Sequence, residues 1–98
     1  MEIIKNSEGG KLGIALSGRL DTNTAPALES ELAAGLDGIE ELDLDFEKLE
    51  YISSAGLRVL LSAQKRMSKQ GGMKLRNVNA DIMEILEITG FVDILTIE

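Results

Sequence analysis

The chain predicts an α/β fold, a small mixed β-sheet with helices packed mainly on one face, and three observations carry that prediction. Short Ile- and Leu-rich extended segments alternate with segments whose apolar residues recur at helical spacing, in the order β-β-α-β-α-β-α-(β). The first two extended segments meet at a glycine turn and read as a hairpin. Each later pair is separated by a helix that can cross between parallel strands. Leu42, Leu44 and Phe46 alternate with Asp43 and Asp45, whereas a strand covered on both faces would read as a continuous apolar run. One face of the sheet is therefore expected to be at least partly wet.

Residues 1–6 and 11–17 are the hairpin strands, joined by Ser7-Glu8-Gly9-Gly10. The polar run 18–24 ends the second strand. Thr24 or a neighbour can cap the next helix, and Pro26 suits a first turn, where its missing N–H costs little. Over residues 25–36, Leu28, Leu32 and Leu36 recur at four-residue steps while Glu29 and Glu31 face elsewhere, so the helix lies on a surface. A loop over 35–38 leads to a strand at 41–46. Residues 54–70 form the longest helix candidate, with Leu57, Leu60, Leu61 and Gln64 along one stripe and Val59, Ala63 and Met67 beside it. Gly71-Gly72 ends it, as glycine commonly does past a helix C-terminus. Residues 73–76 are a short strand. Asn79 or Asp81 starts a last helix running to Thr89, with Ile82, Ile85, Leu86 and Thr89 on its inner face, and Gly90 stops it. Residues 91–97 read as a final extended piece.

Ninety-eight residues without a repeat or linker make one domain, 1–98, large enough for a core. Aromatics are only 3% of the chain, so Leu, Ile, Val and Ala must fill that core. Seventeen acidic against ten basic residues give a formal charge of −7, which opposes nucleic acid and anionic lipid and leaves no basic stripe for either. Histidine and cysteine are both absent, which removes cysteine and histidine nucleophiles, the usual zinc ligand sets and disulfides. Carboxylates can hold magnesium or calcium, but no loop has EF-hand spacing. No metal or cofactor is expected. The opening Met-Glu-Ile-Ile-Lys shows no signal pattern, and no apolar run approaches the ~20 residues of a membrane span. The expectation is a soluble cytoplasmic protein.

The most informative segment is Tyr51-Ile52-Ser53-Ser54-Ala55-Gly56-Leu57, where an extended stretch gives way to a helix. A helix start leaves N–H groups unpaired and carries partial positive charge, so it favours a capping oxygen or a phosphate. On spacing alone Ser54 reads either as a capping serine or as a phosphoacceptor, and Ser53 competes for the cap. Gly56 in the first turn costs about 1 kcal/mol relative to Ala, so either the helix packs closely there or a partner approaches the backbone. Asp21 reads as a turn or cap aspartate, or as a carboxylate bordering the Ser54 loop. Arg58, four residues after Ser54, is a solvated arginine or one placed to meet a phosphate. An esterase is excluded: the segment lacks the first glycine of a nucleophile elbow, and no histidine exists to act as base. No Gly-Lys-Ser/Thr follows a glycine cluster, which excludes a phosphate-binding loop.

Two motifs resemble the STAS domains of bacterial anti-sigma factor antagonists. Gly18-Arg19-Leu20-Asp21, running through Thr24-Ala25-Pro26 to Leu28, is similar to the family's Gly-x-Leu-Asp segment before the first helix. Leu44-Asp45-Phe46 followed by Ile52-Ser53-Ser54-Ala55-Gly56-Leu57 resembles its strand and Asp-Ser-(Ser/Ala/Thr)-Gly-Leu helix start, and Ile85–Phe91 resembles its closing segment. The resemblance spans essentially the whole chain and implies a STAS-type sheet. It places the family's phosphorylated serine at Ser54 and matches its aspartate at Asp21. Where the family often has an aspartate before the serine, this chain has Ser53. It further implies a non-enzymatic switch whose partner surface includes Asp21, Ser53, Ser54, Gly56 and Arg58. Unphosphorylated, the domain would bind an anti-sigma factor serine kinase and release a sigma factor; phosphate on Ser54 would end the binding, and a serine phosphatase would restore it. The alternatives are a STAS subunit of a membrane-associated transport complex, or a STAS module that binds a nucleotide.

Overall fold

The computed structural model describes all 98 residues. Its elements are β1 (Glu2–Glu8), β2 (Lys11–Leu20), α1 (Ala25–Gly35), β3 (Glu41–Ile52), α2 (Ser54–Met67), β4 (Gly72–Arg76), α3 (Ala80–Ile88), a 3-10 turn (Phe91–Asp93) and β5 (Thr96–Ile97). The five strands lie side by side in sequence order. β1 is antiparallel to β2, and β2 through β5 are mutually parallel. Each crossover advances one strand in the same direction, so right-handed connections set all three helices on one face. The expected mixed sheet with a one-sided helix layer is what forms.

One core fills the space between sheet and helices. Leu12, Ile14 and Leu16 of β2, Leu42, Leu44 and Phe46 of β3, and Met73 and Leu75 of β4 point into it. Leu28 and Leu32 of α1, Leu57, Leu60, Ala63 and Met67 of α2, and Ile82 and Leu86 of α3 close it from the other side. The opposite sheet face has no helix and carries Asp43, Asp45, Lys74 and Arg76, which satisfies the expectation of a wet face. Asp43 is nevertheless buried, because the Arg76 guanidinium lies over it with Nε 2.8 and 3.0 Å from its two oxygens. That bond holds the arginine's pKa above its ordinary value.

The structure corrects several boundaries. β3 continues to Ile52, six residues past the alternating run. The register against β2 slips twice: Ala15 pairs with Asp45 but Ser17 with Lys48, and Gly18 with Leu49 but Arg19 with Tyr51. Each slip spends one extra β3 residue, so the buried positions step by three from Phe46 to Leu49 to Ile52. α2 ends at Met67 rather than Gln70. Gln70 instead donates Nε2 to the carbonyls of Leu36 and Ile39, at 2.8 Å each. Leu61 and Gln64 are half-buried flanks of a seam that runs through Gly56, Leu57, Leu60, Ala63 and Met67. Thr89 is exposed rather than facing inward. Residues 91–97 are not one extended piece, since Gly90 at φ 80° turns the chain into the 3-10 segment before the two-residue β5.

Candidate functional site

The C-terminal ends of β2 and β3 lie side by side, and the loops that leave them converge. Ser53 N–H donates to the Leu20 carbonyl at 2.9 Å, which ties the α2 start directly to the residue before Asp21. The serine pair divides its work. Ser53 is the N-cap, in extended conformation, and its hydroxyl accepts from Gly56 N–H at 3.4 Å. Ser54 is the first residue of α2 and is exposed, with its hydroxyl in no hydrogen bond within the chain. A free hydroxyl thus sits at the positive end of a 14-residue helix.

Gly56 is buried, and the packing of α2 requires it to be glycine. A Cβ there would lie 2.7 Å from Leu20 Cγ and 2.9 Å from Ile52 Cγ1. The reading in which the helix packs closely is the one the geometry supplies. The Cα of Gly56 faces the core, so the residues open to a partner around it are Ser54 and Arg58, with Ala55 half-buried between them.

Asp21 builds the loop. Its Oδ1 accepts from the backbone N–H groups of Asn23 at 3.0 Å and Thr24 at 3.1 Å, and its Oδ2 faces Arg19 Nε at 3.7 Å. Burial in the loop opposes ionisation, but these hydrogen bonds and the Arg19 charge outweigh it and hold the carboxyl below the usual aspartate range. The expected cap by Thr24 does not form. Its hydroxyl donates back to the Arg19 carbonyl at 2.7 Å and accepts from Asp21 N–H at 2.8 Å, which stitches the loop instead of the helix. Asp45, midway along β3 on the open sheet face, accepts from Asn77 Nδ2 at 2.9 Å and Glu47 N–H at 3.0 Å. Those bonds, the Asn77 amide first, place its pKa below the ordinary value, so it holds a loop in place.

Three neighbours escaped the sequence reading. The Arg19 guanidinium sits over the half-open Tyr51 ring, 4.2 Å from its centroid, because the second register slip pairs the two residues. Thr22 joins Ala25, Pro26, Glu29, Ala55, Arg58 and Val59 around a shallow hollow between α1 and α2. That hollow brings Arg58 beside the Asp21 loop, as a shared surface requires. Tyr51 opens the informative segment at the α2 start, but no signal in the sequence marks its pairing with Arg19, which depends on the slip. Arg19 lay within a motif already singled out.

Comparison with known proteins agrees over nearly the full length. Residues 4–96 match the family described as Mlab, STAS domain. The chain is 38% identical over 96 residues to the anti-sigma factor antagonist BtrV of Bordetella bronchiseptica, covering 96% of this chain and 83% of that one. It is 30% identical over 95 residues to the anti-sigma-B factor antagonist of Bacillus subtilis, covering 96% and 86%. Among solved structures, an anti-sigma factor antagonist from Mycobacterium paratuberculosis superposes with a TM-score of 0.87 at 24% identity, over 98% of this chain and 83% of that one.

Proposed function

This chain belongs to the STAS domain family, and from that premise we propose that it is an anti-sigma factor antagonist switched by phosphate on Ser54. The observation that carries the proposal is the exposed, uncommitted Ser54 hydroxyl at the start of α2, with the capping work done by Ser53. Unphosphorylated, the domain binds an anti-sigma factor serine kinase and so frees the sigma factor which that kinase holds. The kinase transfers the γ-phosphoryl of ATP to Ser54 Oγ, the hydroxyl proton leaves, and ADP is released. A serine phosphatase hydrolyses the ester and resets the domain. The domain itself supplies no catalytic group; it supplies a serine and the surface around it. A phosphate adds a charge of roughly −1.5 to −2, which breaks a charge-matched interface by repulsion and desolvation. The helix start tolerates the same group, so the fold survives the change.

The test is to incubate the domain with the anti-sigma factor kinase of the same organism and ATP, and to map phosphate by fragment mass spectrometry. Phosphate on Ser54, with Ser54→Ala still binding the kinase but no longer released by ATP, is the expected result. Phosphate on Ser53 would move the acceptor one residue. Phosphate on neither serine would favour a STAS subunit that uses the same surface without modification.

A further inference from the structure

The outer face of α2 is cationic in a chain of net charge −7. Ser54, Arg58, Ser62 and Lys65 follow one another at helical steps directly opposite the buried seam, and Lys69 continues the line just past the helix end. All five are exposed. None of Arg58, Lys65 and Lys69 forms an ion pair within the chain. Arg66 flanks the line, held by Asp37 Oδ1 at 2.7 Å. α2 contains no acidic residue, whereas α1 carries Glu29 and Glu31 and α3 carries Asp81, Glu84 and Glu87. Glu29 borders the strip on its α1 side, across the hollow it shares with Arg58. From Ser54 to Lys65 the line spans roughly 16 Å at about 1.5 Å per residue.

We propose that this strip, from Ser54 to Lys69, is the docking surface for an acidic segment of the anti-sigma factor kinase, an inference that rests on the function proposed above. Charge complementarity selects the occupant. The strip offers three unpaired cations in a line, with Ser54 at its start, Ser62 between Arg58 and Lys65, and no large apolar side chain to insert into a bilayer. Acidic helices on either side oppose a broad anionic surface but admit one narrow acidic segment. The strip also explains why phosphate at its N-terminal end would be decisive. Ser54 and Arg58 are one helical turn apart, so the phosphate competes for Arg58 while it repels the acidic partner.

Charge reversal separates the strip from net charge. Lys65→Glu combined with Lys69→Glu changes the charge as much as Lys11→Glu combined with Lys48→Glu, whose lysines are exposed on the sheet strands. Binding of each full-length variant to the same organism's kinase, with ADP in place of ATP, is followed by stopped flow across salt concentrations. The strip variant is expected to associate about tenfold or more slowly, with a shallower salt dependence. The control variant should stay within about twofold at ~150 mM salt, where the screening length is about 8 Å. Equal slowing of both variants, or slowing of neither, would overturn the strip. Ser54→Asp is measured in parallel. If it weakens binding while the strip variant does not, the switch stands and the strip falls; if it binds as wild type, the switch itself fails. Vesicles containing about one quarter phosphatidylglycerol in phosphatidylcholine form the last arm. Sedimentation of wild type with them, lost in the strip variant, would make the strip a membrane contact and overturn the proposal.

Discussion

Ser53 and Ser54 are chemically identical, and one step along the backbone gives them different work. The Ser53 hydroxyl faces the first turn of α2 and accepts from Gly56 N–H, whereas the Ser54 hydroxyl faces outward. Ser53→Ala is therefore expected to cost stability near the low end of about 0.5–2 kcal/mol, since its bond is long. Ser54→Ala should stay within about 0.5 kcal/mol of wild type, as surface substitutions do. Thermal melts of the two variants separate these outcomes, and a larger loss for Ser54→Ala would make Ser54 structural. Gly56→Ala tests the neighbouring position. The added methyl would meet Leu20 and Ile52 closer than van der Waals contact permits. Overpacking of that kind costs about 1–3 kcal/mol, only partly offset by roughly 1 kcal/mol of helix propensity. At about 4–8 °C per kcal/mol for a domain of this size, the midpoint should drop measurably, and an unchanged or higher midpoint would show that α2 can lift off the sheet at no cost.

Element by element, the sequence was legible where one periodicity ran unbroken and illegible where two strands had to be read together. The hairpin, the four-residue steps of Leu28 and Leu32, and the alternation to Phe46 are each local patterns, and each forms, although the hairpin strands run on to Glu8 and Leu20 and leave only Gly9-Gly10 as the turn. The second half of β3 is not legible because its two register slips convert a period of two into steps of three, and only the pairing with β2 reveals them. The end of α2 was missed for a related reason, since Gln70 reads as one more helical residue but is held by carbonyls from the α1–β3 loop. The cationic strip was present in the spacing 54, 58, 62, 65, yet reading the apolar face alone passed over it. Gly71-Gly72 was read as a helix terminator, and Gly71 has a further reason to be glycine. A Cβ there would lie 1.9 Å from the Glu40 carbonyl oxygen, which itself accepts from Gly72 N–H at 2.9 Å. Backbone on both sides leaves nothing flexible to yield. Gly71→Ala is thus expected to lower the melting midpoint more than Gly56→Ala, whose neighbours are side chains. The reverse order would mean that the approach of the α2–β4 turn to the Glu40 backbone is adjustable.

Over the whole molecule, charge is sorted as well as summed. Acidic helices flank a basic one, and two carboxylates hold loops: Asp21 the β2–α1 loop at the site, and Asp45 the turn at Asn77 just past β4. Both have folded-state pKa values below the ordinary 3.8. Between each lowered value and 3.8 the unfolded chain binds more protons than the native one, so acid favours unfolding in that window. Their contribution is fully present above the unfolded value and is lost as pH falls through the folded one. Both groups lie near the surface, so solvent screening keeps the effect modest. The site should feel it more than the core does, because protonating Asp21 removes the charge that strengthens the hydrogen bonds ordering the loop bonded to Ser53. Urea midpoints measured from neutral pH down to about 2 should fall less steeply for Asp21→Asn combined with Asp45→Asn than for wild type. Asparagine retains an acceptor oxygen for the turn at every pH, so the variant should keep its fold near neutrality while its acid slope flattens. Parallel slopes for the two proteins would show that other carboxylates govern the acid transition and that these two loops are held by packing alone.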